Sequence, residues 1–171
     1  MARTREIELG GFEAIYRSRR DHLLRIALLV CGDRDVAEDV VAEVAANAWR
    51  RWDRGGINDP DAYLRRAVLN AVTDRFRRRG RERARSLRLH GDDRGGRELE
   101  DDVSDRATLI AALGRLPPAQ RSVIVLRYFD GQTEAATAAL LGTTVGTVKS
   151  RASRGLAALA IHLTGPEVTD V

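Results

Sequence analysis

From Phe12 to Val30 the apolar side chains return every three or four residues: Phe12, Ile15, Tyr16, Leu23, Ile26, Ala27 and Val30. That spacing is helical, and no alternating strand pattern is visible anywhere in the chain. The first helix stops at Cys31-Gly32, a plausible C-cap, and Asp33 or Asp35 can open the next one. In "DVAEDVVAEVAANAWRRW" the inner stripe is Ala37, Val40, Val41, Val44, Ala48 and Trp52. "DRGGINDP" breaks the period, and Asp59-Pro60 starts a third helix with proline in its tolerated first turn. That helix buries Leu64, Ala67, Val68, Ala71, Val72 and Phe76.

Residues 81–103 lose the period; glycine and both charge signs dominate, which reads as a flexible linker. Helical patterns resume over 104–164 with "SDRATLIAALGRL" and "PPAQRSVIVLRYFDG", where Val123, Ile124, Leu126 and Tyr128 form the apolar set and Gly131 the stop. The expected fold class is all-α: two small helical domains, 9–80 and 104–164, joined by the flexible linker. Each half is too small for a large core and should be marginal alone.

Composition narrows the possible chemistry. No apolar run approaches the ~20 residues of a membrane span, and the N-terminal stretch has no apolar signal core. Cys31 is the single cysteine, so an internal disulfide is impossible. His22, His90 and His162 share no metal-ligand spacing and read as solvated or half-buried side chains. No cofactor is expected. The net charge is only +4, so the position of the arginines says more than their number.

The only lysine, Lys149, sits in "LGTTVGTVKSRASRGL". Upstream, "TEAATAALLG" is a short helix with Thr133 as N-cap and Gly142 as C-cap. Together they give a helix-turn-helix layout. On the second helix Val145, Val148, Ala152, Leu156 and Leu159 fall on one face, expected to pack on Leu140 and Leu141. Thr147, Ser150, Arg151 and Arg154 take the other face, with Lys149 at its flank and Thr143 and Thr144 at the N-terminus. Free amides at a helix N-terminus favour phosphate, arginine grips guanine bidentately, and such a helix enters the major groove. The competing reading is an ordinary amphipathic helix with a solvated basic face. The glycine turn and small leading residues favour DNA.

In the first half, Asp39 and Glu43 lie one helical turn apart, away from the valine stripe, with Glu38 beside them. This acidic ridge suits a basic protein surface; it equally describes a solvated face. The third helix carries Arg65, Arg66, Asn70 and Thr73, then a basic end at Arg75, Arg77, Arg78 and Arg79. The loop before it, with Asn58 at its tip, can hold an unstacked base, as single-strand binders do. Trp49, Trp52 and Tyr63 flank that loop, and core packing is the simpler role for the tryptophans.

Taken together, "AEDVVAEVAANAWRRW", "PDAYLRRAVLNAVTDRFRRR" and "LPPAQRSVIVLRYFDGQTEAATAALLGTTVGTVKSRASRGL" resemble the bacterial RNA polymerase sigma factors of the extracytoplasmic-function (ECF) branch. The first two are similar to region two, with Asn70 and Asp74 on characteristic positions, and the third to region four. The resemblance implies a transcription initiation factor without enzymatic activity, working in the cytoplasm. It implies that Asp39 and Glu43 meet the clamp helices of the polymerase core, with the flap as a further contact. It implies that Asn58, Arg65, Arg66 and Asn70 take the minus-ten promoter strand. Thr144, Thr147, Lys149, Ser150, Arg151 and Arg154 would meet the minus-thirty-five element, and the acidic "ELEDDVSD" would thread toward the polymerase interior. A cognate anti-sigma factor is a further implied partner. The chain departs from the family pattern at Ala42 and Ala45, where glutamine and a bulky aromatic are usual, and at Thr137, where an aliphatic residue is usual.

Two other readings compete. One is a dimeric helix-turn-helix regulator that binds an operator without polymerase; no acidic pocket with a nearby lysine and no parallel α/β pattern supports its sensor half. The other is an enzyme acting on nucleic acid, for which no metal-carboxylate, Cys/His or phosphate-loop constellation is present.

Overall fold

The computed structural model describes residues 2–89 and 104–164, excepting the side chains of 2–10, 76, 77, 79–89, 104 and 164. Among the described residues every regular element is a helix, and none is long and apolar enough to cross a membrane. The first half is a bundle of α1 (Ala2–Cys31), α2 (Arg34–Trp52) and α3 (Pro60–Leu89). Gly32 takes a left-handed φ of 73°, which ends α1 without the penalty a side chain would bring. Asp33 then caps α2, accepting from the Val36 amide at 3.0 Å. Asp59 does the same for α3 through the Ala62 amide at 3.0 Å.

The stripes read from the sequence face inward: Leu23, Ile26, Ala27, Val30, Val40, Val41, Val44, Leu64, Val68 and Val72 are all buried. Leu69 joins them, while Ala67 and Ala71 are half-buried. Both tryptophans pack in the core as expected, Phe12 meeting Trp49 edge-on with ring centroids 5.6 Å apart. Phe76, Arg77 and Arg79 lie outside the described side chains.

One boundary differs from the expected one. α3 continues through Leu89, so residues 81–89, read as the start of a linker, are helical. "RERARSLRL" has no apolar stripe, but arginine, leucine, alanine and glutamate are strong helix formers, and their summed propensity carries the helix past Gly80. The rest of the linker, 90–103, with His90 and most of the acidic "ELEDDVSD", lies outside the described residues.

The second half contains α4 (Ser104–Arg115), α5 (Pro118–Ile124), a π-helical turn over Val125–Phe129, α6 (Glu134–Leu141) and α7 (Val145–Thr164). Pro118 occupies the first helical position of α5. The π turn changes the phase of the apolar pattern, because a wider turn rotates the residues after it. Val125 goes in, and Tyr128, read as part of the apolar set, comes out at 52 % exposure.

The two halves do not stand apart. α4, α5 and the π turn pack on α1, and α5 and α6 touch α3. One continuous core joins Leu23 and Val30 to Ile110, Leu113, Leu116, Ile124 and Leu126. Each such side chain, fully buried, stabilises by about 1.5–3 kcal/mol, so two halves that are small alone gain by sharing their interior. At the seam lies Arg121, which is 1 % exposed. It donates to the Val30 carbonyl of α1 at 2.7 Å, to the Leu116 carbonyl at 3.2 Å, and to the Gly114 carbonyl. Burial pushes its guanidinium below its usual range, an effect that nearby Cys31 opposes.

Candidate nucleic-acid interface

α6, the turn at Gly142 and α7 form the helix-turn-helix, each junction fixed by its local chemistry. The Thr133 hydroxyl caps α6, accepting from the Ala136 amide at 3.1 Å. Gly142 ends the helix at φ 60°, and the Thr143 amide reaches back to the Ala138 carbonyl at 3.0 Å. Thr144 caps α7, accepting from the Thr147 amide at 3.1 Å and lying 2.9 Å from the Thr147 hydroxyl.

The buried stripe of α7 is Val148, Ala152, Gly155 and Leu159. Val145 and Leu156, expected on that face, are exposed at 39 % and 40 %. For Leu156 the reason is its neighbour Gly155, where α7 crosses α5 so closely that an added Cβ would lie 2.9 Å from Ile124 Cγ1. A glycine gives no apolar signal, so the sequence pattern moved its neighbour into the core instead. Beneath the turn, Thr137 is fully buried and its hydroxyl oxygen has no hydrogen-bond partner.

On the outer side Lys149, Ser150 and Arg154 are exposed, and Thr147 is half-buried. The Arg154 side chain donates to the Ser150 carbonyl at 3.2 Å, and Lys149 stands 3.6 Å from Glu134 of α6. Arg151 turns toward α3. It lines a cavity of about 300 Å³ with Asn70, Thr73 and Asp74 of α3, Ala119 and Ser122 of α5, and Leu141 of α6.

The α3 residues are distributed differently. Asn58 is exposed in the loop and Arg66 and Asn70 are exposed on the helix. Arg65 is only 12 % exposed: its guanidinium lies 3.1 Å from Asp61 and 2.9 Å from Asp130. Arg51 shapes the loop from below, 5.8 Å over the Tyr63 ring and 3.4 Å from the Gly56 carbonyl.

Comparison with known proteins agrees with this geometry. The family model for Sigma-70 region 2 matches residues 15–82, and that for Sigma-70 region 4 matches 106–159. An RNA polymerase sigma-E factor from Streptomyces antibioticus is 39 % identical over 159 residues, covering 91 % of this chain and 86 % of that one. The ECF RNA polymerase sigma factor SigL of Mycobacterium tuberculosis is 33 % identical, covering 91 % and 90 %. The chain belongs to the ECF RNA polymerase sigma factors. A solved structure with a similar fold is the sigma factor RpoE from Bartonella quintana in complex with the anti-sigma factor NepR. The TM-score is 0.71 at 27 % identity, covering 92 % of this sigma factor and 99 % of that chain.

Region two of this sigma factor presents its acidic ridge on α2. The Asp39 and Glu43 side chains are 78 % and 57 % exposed, so the ridge faces solvent. Arg75 of α3 flanks it, 2.6 Å from Glu43 and 4.0 Å from Asp39. Ala42 is exposed and Ala45 half-buried beside the ridge, leaving it flatter than longer side chains would. Glu38 is occupied by Arg34 at 2.9 Å.

The sequence reading missed three residues: His22, Asp130 and Arg121. Asp130 sits just past the π turn, its side chain fully buried between His22 Nε2 and Arg65. Its partners lie far away in the chain, so no local pattern announces them. Among the described residues, no group of three or more His, Cys, Asp or Glu is placed to hold a metal ion.

Proposed function

We propose that this sigma factor binds the RNA polymerase core through the Asp39–Glu43 ridge of α2 and reads a promoter through two surfaces. Asn58, Arg65, Arg66 and Asn70 take the unpaired minus-ten strand; Thr144, Thr147, Lys149, Ser150, Arg151 and Arg154 take the minus-thirty-five duplex. The residues 9–80 and 104–164 are the two working units, joined through 81–103. The chain itself makes and breaks no bonds: it stabilises separated bases, polymerase performs catalysis, and both act in the cytoplasm. The observation that carries this reading is the capped helix α7, which holds Lys149, Ser150 and Arg154 out to solvent while its other face is packed.

Phosphate contacts by lysine, arginine and the hydroxyls set register, and bidentate arginine supplies base discrimination. Once one unit is bound, tethering raises the effective concentration of the other. Region four also meets the polymerase flap, and a cognate anti-sigma factor holds the chain inactive, as the NepR complex of the Bartonella relative suggests. Footprinting with and without core polymerase tests the reading. Protection of a promoter only when core is present is the expected result. Protection by the chain alone would instead identify an operator-binding regulator.

A further inference from the structure

We infer that Arg51 is a positioning residue for the minus-ten strand: it holds the loop between α2 and α3 so that Asn58 is already placed to meet an unpaired base. This rests on the assignment of Asn58 to that strand. The loop needs such a holder. Of residues 53–59 all except Ile57 are exposed, and Ile57 packs against the core. Gly55 and Gly56 in succession give this backbone its widest freedom. A base that met a disordered loop would lose affinity to the cost of ordering it.

Arg51 supplies the order through both its main chain and its side chain. Its carbonyl accepts from the Arg54 amide at 3.3 Å and from the Gly56 amide at 3.1 Å. Its Nε donates back to the Gly56 carbonyl at 3.4 Å, so one residue holds both polar backbone groups of Gly56. Gly56 leaves room for this arrangement: a Cβ there would lie 3.2 Å from Arg51 Cγ and 3.4 Å from the Arg51 carbonyl oxygen. Gly55, at φ 67°, makes the left-handed step that returns its neighbour to the arginine.

The guanidinium then closes the loop onto α3. It stands 5.8 Å from the centre of the Tyr63 ring, within cation–π range. The Tyr63 amide donates to the Asp59 carbonyl at 3.0 Å, and the Asp59 carboxylate accepts from the Ala62 amide at 3.0 Å. Arg51, Gly56, Asp59 and Tyr63 therefore close a ring, and Asn58 sits on the arc between Gly56 and Asp59. Arginine suits the task because one planar group can stack on a ring and donate at the same time, which a lysine ammonium does not reproduce.

The test uses holoenzyme, formed from core polymerase and the full chain, with fluorescein-labelled single strands that carry the minus-ten element of a mapped promoter. Asn58→Ala first locates the base that Asn58 reads, as the position where base substitution no longer changes affinity. Arg51→Ala and Arg51→Lys are each expected to cut the preference for that base about fivefold, the scale of one cation–π contact and one hydrogen bond. The salt dependence of binding is expected to stay the same. Tyr63→Leu should give the same loss with no change of charge, and Tyr63→Phe, which keeps the ring, should restore the preference. Circular dichroism and a core pull-down check that each variant is folded; if Arg51→Ala is not, Arg51→Lys carries the test. Undiminished base preference in folded Arg51 variants would overturn the inference. So would an unchanged preference in Arg51→Ala with a salt slope shallower by about 0.7, the mark of direct contact with one phosphate. If Asn58→Ala alters preference at no base, the assignment of Asn58 itself fails, and the role of Arg51 falls with it.

Discussion

The two basic surfaces of this sigma factor are held in opposite ways. On α7, Lys149 is 63 % exposed, with Glu134 3.6 Å away on the neighbouring helix. On α3, Arg65 is 12 % exposed and lies between two carboxylates, one from each half of the molecule. The front of α7 is exposed, whereas Arg65 of α3 is buried in ion pairs. The difference follows from where the acidic groups fall. α7 meets a helix with a single acid in its first turn, whereas α3 meets α1 and the buried Asp130. Charge count alone would have treated both helices alike.

The comparison can be broken first at the seam that brings the surfaces together. Arg121→Leu leaves the carbonyls of Val30, Gly114 and Leu116 without their donor. At about 1–3 kcal/mol for each buried group left unpaired, a loss of roughly 3 kcal/mol or more is expected in urea unfolding. An unchanged midpoint would mean that the halves are held by apolar contact alone. Next, Arg151→Ala and Arg154→Ala should each weaken upstream duplex binding in the holoenzyme by about 1–3 kcal/mol, leaving core binding intact. A pull-down in which core binding collapsed would reverse the assignment of faces. Thr137→Val removes a buried hydroxyl that has no partner while keeping the shape, so region four should gain about 1 kcal/mol. A lower melting temperature would place a partner on that oxygen. The smallest effect belongs to the ridge: Asp39→Asn with Glu43→Gln should weaken core binding by about 0.5 kcal/mol in all, and less in high salt. Equal binding at low salt would remove the ridge from the account.

Much of the fold was legible because its signals are local. The stripes of α1 and α2, the caps at Asp33, Thr133 and Thr144, the stop at Gly142 and the start at Asp59-Pro60 each depend on a few neighbouring residues. What escaped depends on distance or on the absence of a side chain. Gly155 is a core position that no hydropathy pattern can mark, so Leu156 was placed inside instead. The π turn shifts the phase by one residue, which brought Tyr128 out. α3 runs on past its apolar stripe because helix propensity alone sustains it. For the candidate contact residues, the sequence shows which side chains are basic or polar but not what each is paired with. Nothing near Arg65 in the chain says that Asp130 will reach it, because the two are joined only when region four docks.

The most direct measurement is transcription in vitro with purified core polymerase, this chain and a genomic template library, with every start site mapped. The account predicts start sites that appear only when the chain is added and that share two upstream elements at constant spacing. Transcripts whose start sites are the same with and without the chain would contradict it.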